Sequence, residues 1–447
     1  MAAPPHGLRP AHRPLVRPAV AARAALWGAL AVHLAIVEVL FWTGPAAKSP
    51  VLEVGRFLGL HLALALTVQF VLVARLPWLD RRLGMDRLTA WHRWTGFAVF
   101  WLVIAHPTVV VTGFALLDAG PAIRTAGVLA AQPPVAAGLL AALTIVVVAA
   151  VSLRAARRRL SYERWHAIHF GLYAVIALTT FHQLVEGSSF TSSPLARIYW
   201  WGLWTAAVTA LVVGRVVLPL LRNRRHRFRV AAVVPEAGGA TSVYVTGRDL
   251  HLLDARAGQF CIWRFPDLNP WWQANPFSLS AAPDGRSLRL TAKAVGTTSA
   301  GLRNLRVGMR VVAEGPYGAF TMLHSTCPAT LLVAGGIGIT PIRALLEVLP
   351  GPVTVLYRAR TVADATLLAE TADLCRQRGA ILHLLTGRTA AGDPLHPANI
   401  QRLVPDVHYR DTYVCGPPAM TAAVVRSLRG MGVPRAQIHD ERFGFAP

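Results

Sequence analysis

Acidic residues are scarce in this chain of 447: 22 Asp and Glu stand against 45 Lys and Arg, a formal net charge of +23. Such a surplus invites a nucleic-acid partner. Many of the basic residues, however, sit in short segments between apolar runs, and that distribution argues against it. Cysteine is scarcer still. Cys261, Cys327, Cys375 and Cys415 all fall in the second half of the chain, with no CxxC spacing and no candidate disulfide framework, and reduced thiols in a cytosolic compartment are the simplest reading. Charged residues make up 15% of the chain and hydrophobic ones 54%, a balance too apolar for an ordinary water-soluble protein.

The apolar residues concentrate before Leu221. About 20 of them in a row suffice to cross the hydrocarbon core, and six stretches qualify: Ala22–Trp42, Val54–Leu76, Leu88–Phe114, Val135–Leu153, Arg164–Val185 and Ala196–Leu221. Residues 1–21 form a basic arm with Arg9, Arg13 and Arg17 and no small-residue cleavage site, so an uncleaved anchor is expected. Basic residues mark alternate connections: Arg75, Arg81, Arg82 and Arg87, then Arg154, Arg157, Arg158 and Arg159, then Arg222, Arg224, Arg225 and Arg227. The opposite side carries little beyond Lys48, Arg56, Arg124 and Arg197. This asymmetry predicts a multi-pass protein of the cell membrane with both termini in the cytoplasm.

Histidine within a membrane span is costly and usually functional, and these spans hold His33, His61, His92, His106, His169 and His182, with His166 close by. His92 and His106 lie fourteen residues apart in span three, about 21 Å along the axis and nearly on one face. His169 and His182 lie thirteen apart in span five, which runs in the same direction. His92 with His169, and His106 with His182, would therefore meet at two depths and could each clasp a haem iron through neutral imidazoles. Thirteen residues turn an ideal helix through roughly 220°, so this pairing requires a local distortion or a tilted haem. His166 is the substitute for His169, with a worse depth match. Interhelical hydrogen bonds would explain any one histidine alone, but not two depth-matched pairs. His33 and His61 lack such pairs and are expected to make interhelical bonds or to border a haem.

From residue 223 to 326 the pattern changes to short alternating strands, such as Arg229–Val234, Ser242–Val245 and Ser287–Ala292, with Pro/Gly/Asp turns between them; a small antiparallel barrel fits. It contains Asn275-Pro276-Phe277-Ser278, Lys293-Ala294-Val295-Gly296-Thr297-Thr298-Ser299 and Glu314-Gly315-Pro316-Tyr317-Gly318. Residues 327–447 read as an α/β nucleotide-binding domain: strand Leu331–Ala334, a turn with Gly335, Gly336, Gly338, Thr340 and Pro341, then helix Ile342–Leu349. Glycines there let backbone amides approach a pyrophosphate at the helix N-terminus. Arg358 and Arg360, after strand Val353–Tyr357, are placed to meet a 2′-phosphate, with Arg388 in support, which favours NADPH while leaving NADH open.

Taken with Cys415-Gly416-Pro417 and the terminal Glu441-Arg442-Phe443-Gly444-Phe445, these motifs resemble the ferric reductase and NADPH oxidase superfamily over about nine-tenths of the chain. The resemblance implies a membrane all-α six-helix bundle (residues 22–222), an antiparallel β-barrel FAD domain and an α/β nucleotide domain. It implies that Phe277 and Ser278 line the flavin and that Gly296, Thr297, Thr298 and Ser299 hold the FAD pyrophosphate. Gly335, Gly336, Gly338, Thr340 and Pro341 would border the nicotinamide nucleotide, with Cys415 and Gly416 near its ring. Phe443, or Phe445 in its place, would cover the flavin face. Asn275 stands where the family carries His or Arg, so charge opposite the pyrophosphate must come from elsewhere, and Lys293 is the candidate.

The cofactor set so implied is FAD, two b-type haems and NADPH. Nicotinamide gives up two electrons together and haem iron accepts one, so a flavin belongs between them. The resemblance implies electron transfer from cytosolic NAD(P)H to an extracytoplasmic acceptor: a ferric chelate first, dioxygen reduced to superoxide second. Two further readings are a transporter or channel with a redox-sensing nucleotide module, and a subunit feeding a periplasmic redox partner.

Overall fold

The computed structural model describes residues 16–153, 162–268, 273, 275–387 and 393–442. Among these, six helices are long and apolar enough to cross a membrane: Val20–Thr43, Pro50–Val73, Arg87–Leu117, Pro133–Ser152, Arg164–Glu186 and Pro194–His226. They are the six expected spans, shifted by a few residues at their ends. Ser49 and Ser193 account for two of the shifts, since each side chain accepts a backbone N–H of the first turn, ahead of a proline at the first helical position. The apolar runs mark where lipid begins, whereas the caps mark where the helix begins. Short helices at Pro77–Leu83 and Ala122–Ala130 occupy two of the connections.

The chain divides into two compact units, one built from residues 23–76 and 86–217, the other including 77–85 and the chain from Leu218 onward. The core of the first is aromatic and aliphatic. Trp200 and Trp204 are buried with Leu60, Leu64, Val99, Val103 and Val175. Two spans depart from regular winding. Span five is interrupted at Gly171: helix Tyr162–Phe170 ends, Leu172–Glu186 begins, and Gly171 N–H donates three residues back to Ile168 O. Such bonds wind the chain at about 120° per residue instead of 100°, which reduces the angular mismatch between His169 and His182. Span six widens into a π-type turn at Val213–Val217, where a Cβ on Gly214 would fall 1.8 Å from Ala74 O and Arg215 Nε donates to Val73 O at 2.8 Å.

In the second unit, two three-stranded antiparallel sheets, β1–β2–β5 and β4–β3–β6, form the barrel. These strands are β1 Arg229–Glu236, β2 Ala240–Thr246, β3 Phe260–Arg264, β4 Asn275–Ser278, β5 Ser287–Lys293 and β6 Val312–Tyr317. The bridge Leu279↔Leu290 joins the sheets beyond β4. Inward residues Val243, Val245, Trp263, Leu288 and Leu290 fill the interior. A five-stranded parallel sheet follows, in the order β11–β10–β7–β8–β9, with β7 Ala329–Gly335, β8 Val353–Arg358, β9 Ile381–Leu385, β10 Arg410–Gly416 and β11 Ile438–Arg442. Leu331, Leu332, Val333 and Ala334 have no exposed surface, because helices cover both faces of such a sheet. The helix after β7 begins at Ile339, three residues earlier than its apolar pattern suggests, which brings Pro341 into the first turn. The segment Pro77–Leu83 belongs to this unit: Asp80 Oδ2 accepts from Gly318 N–H at 2.9 Å, and Arg81 pairs with Asp254 at 2.6 Å.

Candidate functional site

Within the helical unit the rings of His92 and His169 lie with centroids 6.3 Å apart and planes inclined at 68°. Both Nδ1 atoms are buried and have no hydrogen-bond partner among the described residues. His106 and His182 both line a 730 Å³ cavity shared with Gly59, Gly138 and Gln183. Their Nδ1 atoms are held by backbone carbonyls, His106 against Gly55 O at 2.9 Å and His182 against Pro134 O at 3.0 Å. Each carbonyl accepts from Nδ1–H, fixes a ring orientation and leaves Nε2 with its lone pair available to a metal. Two glycines seat these rings. A Cβ on Gly59 would lie 2.8 Å from His106 Cε1, and one on Gly138 2.8 Å from His182 Cγ.

The other histidines go elsewhere. His166 packs on Phe170, with centroids 4.4 Å apart. His33 Nδ1 meets Tyr199 Oη at 3.1 Å, and His61 Nε2 meets Glu38 Oε1 at 3.2 Å, both between helices.

In the barrel, β4 carries Asn275, Pro276, Phe277 and Ser278 against β3 in the register Trp263↔Asn275 to Phe260↔Ser278. Ser278 is 5% exposed. Asn275 uses its amide on Trp263 O at 3.3 Å, so this position supplies backbone bracing and no charge. Lys293 lies 3.8 Å from Asp364 Oδ1. Thr297, Thr298 and Ser299 open a short helix, Thr297–Gly301, after Gly296. Ser299 Oγ accepts from Val295 N–H at 3.1 Å and Gly296 N–H at 3.0 Å, so its hydroxyl shapes the turn.

In the parallel sheet the chain runs outward from β7 in both directions, to β8 and β9 on one side and β10 and β11 on the other. Ligands of such sheets bind at the carboxyl ends of the strands where the order reverses, which is between β7 and β10. The structure brings the two glycine motifs together there. A Cβ on Gly338 would fall 2.3 Å from Cys415 O, one on Gly335 2.4 Å from Met420 Sδ, and one on Gly416 3.0 Å from Gly335 Cα. Gly336 has φ +52°. Thr340 Oγ1 donates to Ile337 O at 3.0 Å, closing the turn ahead of Pro341. Cys415 is fully buried. Arg358 donates to Ala359 O at 2.6 Å, Leu385 O at 3.3 Å and Gly387 O at 2.5 Å, which ties β8 to the end of β9, whereas Arg360 is exposed. Arg388, Phe443 and Phe445 lie outside the described residues.

Sequence reasoning missed Gly59 and Gly138, since spacing alone does not say which helix glycine faces a histidine. It also missed Arg289 and Arg343, whose side chains are 5% and 6% exposed and share Glu370. An arginine flanked by Leu288 and Leu290 reads as a strand's outer face, and only the tertiary fold covers it.

A family model described as the ferric reductase like transmembrane component matches residues 57–180, and one described as an FAD-binding domain matches residues 232–321. A flavohemoprotein of Vibrio cholerae is 31% identical over 226 residues, 47% of this chain and 54% of that protein. Ferredoxin–NADP reductase B of Sorangium cellulosum is 30% identical over 190 residues, 37% of this chain and 77% of that protein. The solved FAD/NAD binding domain of nitric oxide dioxygenase from Vibrio cholerae is 28% identical, with a TM-score of 0.42, covering 49% of this chain and 99% of that one. The chain spans 54% of the length of the Vibrio flavohemoprotein and 59% of that of Pseudomonas aeruginosa. With a ferric reductase-like transmembrane part followed by an FAD-binding barrel and a parallel-sheet domain, this chain belongs to the ferric reductase and NADPH oxidase superfamily.

Proposed function

We propose that this protein is a transmembrane oxidoreductase that passes electrons from NAD(P)H, through FAD and two bis-histidine b-type haems, to an extracytoplasmic acceptor, a ferric chelate. The observation that carries the reading is the His92/His169 pair at 6.3 Å. Two neutral imidazoles brought this close from different helices would be the residues to hold one haem iron. The carbonyl-held rings of His106 and His182, on a 730 Å³ cavity, support a second site. When bound, the flavin accepts a hydride and hands electrons on singly, and the haem irons carry them one at a time.

The chain's own residues supply seats and spacing. Gly335 and Gly338 let the two glycine motifs close on each other, Gly336 leaves open space beside them for a pyrophosphate, and the helix starting at Ile339 aims its amides at the anion. Cys415 and Gly416 border the nicotinamide, while Pro276, Phe277 and Ser278 border the flavin. Gly296, Thr297, Thr298 and Ser299 face the FAD pyrophosphate, with Lys293 as the nearby charge; Arg360 meets the 2′-phosphate. In this reading residues 22–222 form the haem domain, 223–326 the FAD domain and 327–447 the nucleotide domain, and both termini are cytoplasmic.

The test is an optical spectrum of detergent-purified protein before and after anaerobic NADPH, with flavin and haem counted per chain. Two low-spin haems reduced only in the presence of FAD are expected. A protein without haem, or haem that NADPH never reduces, would overturn the proposal.

A further inference from the structure

We propose that Glu370, held between Arg289 and Arg343, is a positioning residue that sets the flavin strand against the nucleotide helix for hydride transfer. The inference rests on the flavin and nucleotide assignments proposed above. Arg289 lies on β5 and reaches both Glu370 oxygens from Nη1 at 2.9 Å. Arg343 lies on the helix Ile339–Val348 and reaches Glu370 Oε1 at 2.5 Å and Glu347 Oε1 at 2.7 Å. Both guanidinium groups also donate to one backbone carbonyl, Ser280 O, at 2.6 Å from Arg289 and 3.2 Å from Arg343. Arg289 Nε donates to Ser280 Oγ at 3.0 Å, and Glu347 accepts from Ala282 N–H.

Ser280 is two residues from Ser278 of the flavin motif, and Arg343 is three residues from Thr340 of the glycine turn. The cluster is thus a short, charged path between the two ends of the reaction. Each guanidinium divides its donors between Glu370 and Ser280 O, which fixes direction as well as distance; the arginines are almost fully buried, while Glu370 is 35% exposed. The step it serves moves one hydride, a proton with two electrons, from NADPH to the flavin and leaves NADP⁺. No member of the cluster gives or takes a proton in that step. Its effect is geometric, and misplacement by about 1 Å costs on the order of 10²-fold in rate.

The test compares wild type, Glu370→Gln and Glu370→Asp in the full chain in detergent. Glu370→Gln removes the charge that binds both arginines; Glu370→Asp keeps it but withdraws it by one methylene. The expected result is a fall in the stopped-flow rate of flavin reduction by NADPH, about 10²-fold for Gln and less for Asp. Flavin content, the KM for NADPH and the rate of haem reduction from photoreduced flavin should stay near wild type. The primary isotope effect with deuterated NADPH should rise in both variants, and the long-wavelength band of nicotinamide stacked on flavin should weaken; a role in folding alone would move neither. If Glu370→Gln loses its flavin, Glu370→Asp decides. Flavin-loaded variants with wild-type rate, band and isotope effect would overturn the inference. A wild-type protein that binds no flavin would instead overturn the functional proposal beneath it.

Discussion

An alanine at Gly138 would place its Cβ 2.8 Å from His182 Cγ, 2.9 Å from Nδ1 and 3.0 Å from Cδ2. Comfortable carbon contacts lie at about 3.5–4.0 Å, so the ring must retreat by roughly 0.7–1.2 Å. It cannot do so freely, because its Nδ1 is held by Pro134 O at 3.0 Å. The overpacking should cost about 1–3 kcal/mol of stability, an amount a six-helix bundle can absorb, but metal–ligand distances tolerate only about 0.2 Å. Gly138→Ala should therefore lose the haem at His106/His182 and keep the other, so that a haemochrome assay reads about half the wild-type haem per chain with flavin unchanged. Gly59→Ala, whose Cβ would meet His106 Cε1 at 2.8 Å, should do the same from the opposite ligand. Gly28 and Gly202 supply the controls, since nothing lies within 4 Å of a Cβ at either. Full haem in Gly138→Ala and Gly59→Ala would refute the reasoning, and equal loss in the controls would show only that these helices resist alanine.

Replacing His92 by alanine should likewise remove about half the haem; flavin reduction by NADPH, followed in the same sample, should persist, and retention of all the haem would remove His92 as a ligand. Arg360→Ala should raise the KM for NADPH well above any change for NADH, whereas Arg358→Ala, which frees three carbonyl contacts, should also lower the melting temperature; equal effects of Arg360→Ala on both nucleotides would end the 2′-phosphate assignment. Asp411 is buried, and although burial alone would raise its pKa, hydrogen bonds from His439, Cys327, Ser325 and Thr326 hold it below the ordinary carboxylate value. The sign follows: its contribution is full above the unfolded-state pKa of about 3.9 and is lost as pH falls through the lower folded value. Asp411→Asn should lower the melting temperature of the unit that includes the chain from Leu218 onward at neutral pH by the equivalent of about 1–3 kcal/mol and flatten its acid limb, as read by calorimetry.

The six spans and the parallel sheet were legible because each is a run of apolar residues long enough to need lipid, or to be covered by helices on both sides. The glycine turn was legible for a related reason: only glycine lets Gly338 lie against Cys415 O and Gly416 against Gly335 Cα. The thirteen-residue interval from His169 to His182 was readable only as a conflict with an ideal helix. What reduces it, the interruption at Gly171, depends on a bond to Ile168 O that no periodicity encodes. Span ends moved for the same reason, since Ser49 and Ser193 cap helices through hydroxyls that a hydropathy window ignores.

The buried arginines show where such reading stops in principle. Ser287–Lys293 alternates as a strand should, and Arg289 falls on the face that a lone barrel would leave to water. It is buried together with Arg343 of the helix Ile339–Val348, both meeting Ser280 O, with Glu370 supplied from a third element, helix Leu368–Arg378. No local pattern announces a contact among residues 289, 343 and 370. Two buried arginines sharing one carboxylate would nevertheless be a costly way merely to hold two domains together, since well-packed apolar residues of similar size usually serve stability as well or better. What the charges add is direction: both forks converge on Ser280 O, two residues from the proposed flavin contact. A glutamine at Glu370 is therefore expected to slow hydride transfer more than it lowers the melting temperature.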